Sequence, residues 1–254
     1  MSEDRSRGVM TASPILQPGR GKELGYHPFW EDTPVTLQVA LVGTDGIVLA
    51  SDKRTVYLDE VTTSGTTSKI LVDESGSFAL AYAGHEISQV IARRILEKPA
   101  LLESRGPLIE LEKLAEAIYK EQITEDSQDF RTDSQLLIVQ RKDLSRFHVL
   151  HMNRKKWLSE PRADKAIIGH ATNTACFFTE EYYSKAPVAA LKLLAAHTII
   201  AAAKRNPSGI EGLEILVCTP EKFEFAALHE IPVLEKRSRD IDDQLRHLLA
   251  APNE

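Results

Sequence analysis

A hydroxyl, a carboxylate and a guanidinium stand close together early in the chain: Thr36, Asp52 and Arg54. Thr36 is the second residue of an apolar run over residues 35–42. Asp52 and Arg54 follow a second apolar run, 47–50, inside the polar cluster Ser51-Asp52-Lys53-Arg54. Between the runs stands Thr44-Asp45-Gly46. An Asp-Gly between β-rich runs predicts a hairpin, because glycine takes the positive φ that a tight turn needs. Pairing the runs folds Asp52 and Arg54 back beside Thr36. A hydroxyl with charged groups brought against it is a candidate for nucleophilic catalysis. The plainer reading is a strand threonine, a residue type at home in β-sheets.

Composition narrows the function classes. The chain has 254 residues, enough for one large domain or two small ones, and an apolar fraction of 43% supplies a real core. A net charge of −6 gives a nucleic-acid role no electrostatic support. Cys176 and Cys218 stand in apolar segments and make neither a disulfide framework nor a metal-ligand spacing. They read as small buried hydrophobes in a reducing compartment. No cofactor and no metal are expected. No apolar run approaches ~18 uninterrupted residues, so no membrane span is expected. The N-terminus lacks a hydrophobic signal core, which makes the cytoplasm the expected location.

Residues 1–33 read as an irregular or flexible extension, a candidate leader, with prolines and charges but no sustained periodicity. Its aromatic patch, Tyr26-His27-Pro28-Phe29-Trp30, fits packing on its own domain or a neighbour, or a ligand contact. Residues 34–254 read as one domain. After the first hairpin, 55–67 is a strand or loop excursion. A second hairpin joins 68–72 to 77–82 and ends at Ala83-Gly84-His85. Helical periodicity follows to Pro99, with a further helix over 107–124. Strands return at 134–140, 146–151, 156–160 and 165–169. Helices are predicted over 173–183 and 187–205, the second apolar on all faces and therefore well buried. A last hairpin crosses Pro220-Glu221, and a charged amphipathic helix spans 233–249. Hairpins alternating with helix pairs predict an α+β fold of two stacked sheets under outer helices. A continuous parallel sheet would need strict strand–helix alternation.

These residues carry a resemblance. The stretch Thr-Leu-Gln-Val-Ala-Leu-Val-Gly-Thr-Asp-Gly-Ile-Val-Leu-Ala-Ser-Asp-Lys-Arg, from Thr36 to Arg54, resembles the N-terminal hairpin of proteasome β-type subunits and their bacterial relatives. Ser68-Lys69-Ile70 resembles the family's lysine-bearing third strand, and Ala81-Tyr82-Ala83-Gly84 its Ala-Gly turn before a helix. Ala203-Lys204-Arg205 ahead of a Ser-Gly turn and a strand over 213–217 is similar as well. The resemblance runs from residue 35 to about 230, specific in its first fifty residues or so and architectural beyond. It implies the four-layer αββα sandwich of the N-terminal-nucleophile (Ntn) hydrolases.

The resemblance also implies a mechanism. The nucleophile of that family is the hydroxyl of a threonine that becomes the chain's own N-terminus, with its freed α-amine as base. An α-amine titrates at about 7.7–8.0, so a useful fraction is neutral near neutrality. Thr36 takes the threonine's place. Asp52 would accept hydrogen bonds from the amine or the lysine, and Lys69 would lower the hydroxyl's pKa. Arg54 would pair with carboxylates and hold the turn. The N–H of Gly84 would be an oxyanion donor, typically worth ~10²–10³ in rate. Read without the resemblance, Asp52 and Lys69 also fit a structural ion pair, and Gly84 a strand-to-helix turn. The implied substrate is unfolded polypeptide. The implied assembly is a homo-oligomeric ring, with an ATP-dependent unfoldase as a further partner.

Departures from the family pattern leave other readings open. Val35, β-branched and stiff, stands where self-processing subunits have glycine. Thirty-five residues precede Thr36. Gly169-His170-Ala171 replaces a Gly-Ser-Gly turn, so His170 is either a substitute donor or acceptor near neutral pKa or a histidine beside a helix. Asn206 stands where a later aspartate is expected, and it carries no charge. Ring-building α-type subunits keep a pattern like Ser51-Asp52-Lys53 without a nucleophile, yet 1–32 match no α-type start. Three functions are therefore carried forward: a threonine peptidase, an inactive structural or regulatory subunit, and an amidase acting on a small amide.

Overall fold

The structure is a computed structural model that describes residues 36–56, 64–84, 87–102, 108–122, 134–153, 156–169 and 173–250. The expected extension over 1–33, Val35 and His170 lie outside the described residues. The chain begins with β1 (Leu37–Val42), β2 (Ile47–Ser51), the short strands β3 (Arg54–Val56) and β4 (Ser64–Thr66), then β5 (Ile70–Val72) and β6 (Phe78–Ala83). Helices α1 (Ile87–Leu96), α2 (Pro99–Leu102) and α3 (Ile109–Gln122) follow. Next come β7 (Gln135–Gln140), β8 (Asp143–Asn153), β9 (Lys156–Arg162) and β10 (Lys165–Gly169). The remainder is α4 (Cys176–Tyr182), α5 (Val188–Arg205), β11 (Glu214–Cys218), β12 (Phe223–Phe225) and α6 (Glu230–Ala250).

Two antiparallel five-stranded sheets carry this α+β arrangement, ordered β10-β1-β2-β11-β12 and β5-β6-β7-β8-β9. Strand alternation explains how they are covered, since successive side chains point to opposite faces. Leu37, Val39 and Leu41 of β1 join a cluster with Leu191, Ala195 and Ile199 of α5 and Leu234 of α6. The intervening Ala40 and Val42 join Ala79, Ala81, Leu137 and Phe147 of the second sheet. On that sheet Leu80, Leu136 and Leu150 face Ile91 and Ile95 of α1 and Leu111 of α3. β1 and β2 are buried along their whole length, which is why both read as near-continuous apolar runs. Truncating a fully buried side chain such as Leu41 or Ile91 to alanine costs about 2–5 kcal/mol.

The differences from the sequence-based expectation are local. α6 starts at Glu230, before Pro232, because a proline in the first turn removes an N–H that has no helical partner anyway. The same tolerance lets Pro99, expected only as a stop, open the short helix α2. The excursion over 55–67 includes a two-stranded hairpin, β3 with β4. The look-alike strands β9 and β10 part company: β9 edges the second sheet, and β10 pairs with β1 in the first. Among the described residues no helix is long and apolar enough to cross a membrane.

Candidate active site

Thr36 precedes β1 and shares the parity of Ala40 and Val42, so it belongs to the layer where the sheets meet. The β1–β2 register sets Gln38 opposite Ser51. One step further, Asp52 N–H donates to the Leu37 carbonyl at 3.2 Å. The Leu37 N–H donates back to Asp52 Oδ1 at 2.9 Å. Asp52 therefore ends the ladder with its side chain, and its second oxygen is left for other donors. That oxygen, Oδ2, accepts from the Arg54 N–H at 3.1 Å and from Lys69 Nζ at 2.8 Å.

Lys69 comes from the other sheet. It lies just before β5, where its carbonyl accepts the Tyr82 N–H at 3.2 Å and continues the β5–β6 pairing. Its ammonium also donates to Thr36 Oγ1 at 2.9 Å. Thr36, Asp52 and Lys69 are all buried, at 7%, 0% and 3% exposure. Burial pushes the Asp52 carboxyl up and the Lys69 ammonium down; their mutual attraction and hydrogen bond oppose both shifts, as do the two N–H donors on Asp52. An ammonium held against a hydroxyl stabilises the alkoxide, which is the form that attacks a carbonyl.

The other expected residues divide. Gly84 follows β6 at φ +90°, a conformation that favours glycine. A Cβ on Gly169 would lie 2.0 Å from the Thr36 carbonyl oxygen and 3.2 Å from Ala83 Cβ. The ends of β6 and β10 and the start of β1 therefore meet, with Gly84 one residue beyond Ala83. Arg54 joins Asp52 only through its backbone. Its guanidinium turns to Glu211 at 3.2 Å and to the Pro207 carbonyl at 3.1 Å. Asn206 caps the end of α5, and its Oδ1 accepts the Gly209 N–H at 3.0 Å.

Two polar residues beside the site were not singled out from the sequence. Gln38, fully buried in β1, donates from Nε2 to the Tyr82 carbonyl and so ties the two sheets together. A polar residue inside an otherwise apolar run is the signal that points to it. Glu214 opens β11 opposite Ser51, and its Oε2 accepts from Ser68 Oγ at 2.9 Å. A lone glutamate at a strand start looks like any solvent-facing end. Among the described residues no group of three or more His, Cys, Asp or Glu is placed to hold a metal ion.

No model of a protein family matches the chain, and no curated protein matches its sequence. Solved structures do. Anbu (ancestral beta-subunit) from Yersinia bercovieri is similar with a TM-score of 0.64 at 17% identity, over 86% of this chain and 98% of that one. An Anbu Gly-1 mutant from Hyphomicrobium sp. strain MC1 has a TM-score of 0.62 at 14% identity, over 86% and 98%. Anbu from Pseudomonas aeruginosa, solved as a helical assembly, has a TM-score of 0.62 at 13% identity, over 85% and 98%. The chain shares the fold of these Anbu structures across nearly their whole length.

Proposed function

We propose that this chain is a proteasome-like Ntn hydrolase, an αββα sandwich of four layers, in which Thr36 becomes N-terminal and cleaves peptide bonds. The observation that carries this reading is the Lys69 ammonium, 2.9 Å from Thr36 Oγ1 and 2.8 Å from Asp52 Oδ2. The Thr36 hydroxyl attacks the scissile carbonyl carbon and its proton passes to the freed α-amine. Lys69 stabilises the alkoxide, and the Gly84 N–H takes the oxyanion. Collapse breaks the C–N bond, and the leaving amine accepts the proton. Water then hydrolyses the ester on Thr36 and restores the hydroxyl. Unfolded polypeptide is the substrate class, delivered by an ATP-dependent unfoldase in the cytoplasm. Association of like subunits, as a ring or along a helix, is supported by the helical assembly of the Pseudomonas aeruginosa Anbu.

Intact mass tests the reading. The expected product is a chain starting at Thr36 that takes up one equivalent of a peptide epoxyketone or boronate probe. A full-length, unlabelled chain that hydrolyses no peptide would overturn it.

A second reading has its own observation. Thr36 follows Val35 in the chain, and a nitrogen held in a peptide bond is no base. With residues 1–35 retained, the same fold is an inactive structural or regulatory subunit, and Asp52–Lys69 is a buried ion pair. Sedimentation of the full-length chain as an oligomer is its expected outcome.

A further inference from the structure

Glu214 belongs to the first sheet, yet its carboxylate grips the second. Oε2 accepts from the Ser68 hydroxyl at 2.9 Å and from the backbone N–H groups of Lys69 and Ile70, each at 3.3 Å. Ser68 Oγ also lies 2.7 Å from the Ile70 carbonyl, so its single proton serves one acceptor at a time. The Tyr82 hydroxyl closes the same turn by donating to the Ser68 carbonyl at 3.1 Å. The segment so held is the one that carries Lys69. Glu214 pairs with Ser51 in the β11–β2 ladder, next to Asp52 in sequence. The backbones of both Lys69 and Asp52 are thus referred to the same position in the first sheet.

We propose that Glu214 is a positioning residue: its carboxylate fixes the Ser68–Ile70 backbone from the facing sheet and adds a second negative charge beside the Lys69 ammonium. This role rests on the reading of Lys69 as the charge that activates Thr36. A carboxylate gripping two consecutive backbone N–H groups allows little freedom in where the intervening side chain starts. Asp52 and Glu214 are the charged groups that favour the ammonium form of Lys69 among the described residues, opposing its burial. Asp52 does so through a hydrogen bond. Glu214 does so through space, because it bonds the lysine's backbone and not its Nζ. The two carboxylates therefore have separable duties: Asp52 aims the ammonium, and Glu214 anchors its stem while helping to keep it charged.

The experiment follows the Lys69 amine itself. The full chain is labelled with [ε-¹³C]lysine, and the Lys69 resonance is assigned by its loss in Lys69→Arg. Its titration is then compared in the parent, Glu214→Gln and Glu214→Ala, beside hydrolysis of a fluorogenic peptide. Glu214→Gln keeps an acceptor oxygen for the backbone donors and removes the charge. Lys69 is expected to titrate at lower pH in it than in the parent. Glu214→Ala removes both, so the same downward move is expected with a ~10²-fold loss of peptide hydrolysis, the scale of a displaced catalytic group. An unchanged Lys69 titration in both variants overturns the proposal. A shifted titration in a chain that hydrolyses no peptide upholds Glu214 as the second charge that keeps Lys69 an ammonium and sinks only the reading of Thr36 as nucleophile. Full hydrolysis in both variants with an unmoved titration does the reverse.

Discussion

Two buried clusters each gather a hydroxyl, a nitrogen and a carboxylate, and they differ in how the nitrogen is used. In the first, Lys69 Nζ touches both Thr36 Oγ1 and Asp52 Oδ2 within 2.9 Å. In the second, between α5 and α6, His197 Nδ1 lies 2.9 Å from Ser238 Oγ, while Asp242 Oδ1 stands 3.8 Å from Nε2. Nε2 has no hydrogen-bond partner among the described residues, and Asp242 is drawn instead to Lys204. Phe178 covers the imidazole edge-on at 4.3 Å. Ser238 is sealed at 0% exposure in a helix–helix seam, whereas Thr36 keeps 7% at the start of a strand. The same three kinds of group suit the proposed chemistry only where the nitrogen is aimed at the hydroxyl and the hydroxyl has a way out. The helix cluster reads as packing with its polar atoms largely satisfied.

Breaking the first cluster is the largest expected effect. Lys69→Ala strands the Asp52 carboxylate in the interior, which costs about 3–5 kcal/mol, so a clear fall in melting temperature is expected. On the proposed function it is also expected to abolish peptide hydrolysis and probe labelling. A variant that melts like the parent would show that Asp52 and Lys69 are not the buried pair described.

The next effect comes from the second cluster and is read against pH. Burial holds the His197 imidazole below the ordinary histidine range, although Asp242 works the other way. The unfolded chain takes up that proton near pH ~6.5 and the folded chain only below it. Across that window the unfolded state binds more protons, so stability falls as pH falls. His148, also pushed down by burial, adds to the same slope. Denaturant midpoints measured at neutral and mildly acidic pH should therefore converge in His197→Gln relative to the parent. An equal slope in both would remove His197 from the account.

The smallest effect sharpens the contrast. Ser238→Ala deletes one buried hydrogen bond, a loss of about 1 kcal/mol in chemical denaturation, with peptide hydrolysis untouched. Any loss of hydrolysis beyond that of the destabilised fold would mean that the helix seam acts on the site after all.

The legibility of these features in the sequence follows their range. Asp45-Gly46 pins the β1–β2 register, so the return of Asp52 to the start of β1 could be read from one turn. The long apolar run of α5 told its burial in the same way. Lys69 is different, because its approach to Thr36 crosses from one sheet to the other, and no local pattern encodes that; only the family resemblance pointed to it. Glu214 was invisible for the same reason. β9 and β10 could not be told apart as strands, yet only β10 pairs with β1 and brings Gly169 against Thr36. Arg54 was legible in position but not in direction, since Glu211 and Pro207 claim its guanidinium from a distant loop.

The layer between the sheets has a consequence of its own. Where β1 and β6 face each other it is lined by Ala40, Ala79, Ala81 and Ala83. Close-packed interiors transmit an added methyl as a displacement, because they hold no slack to absorb it. The gap between a threonine rooted in one sheet and a lysine rooted in the other is therefore a mechanical dimension, gauged by four small side chains that carry no polar side-chain atom. A larger side chain at any of the four would widen that gap as well as overfill the core.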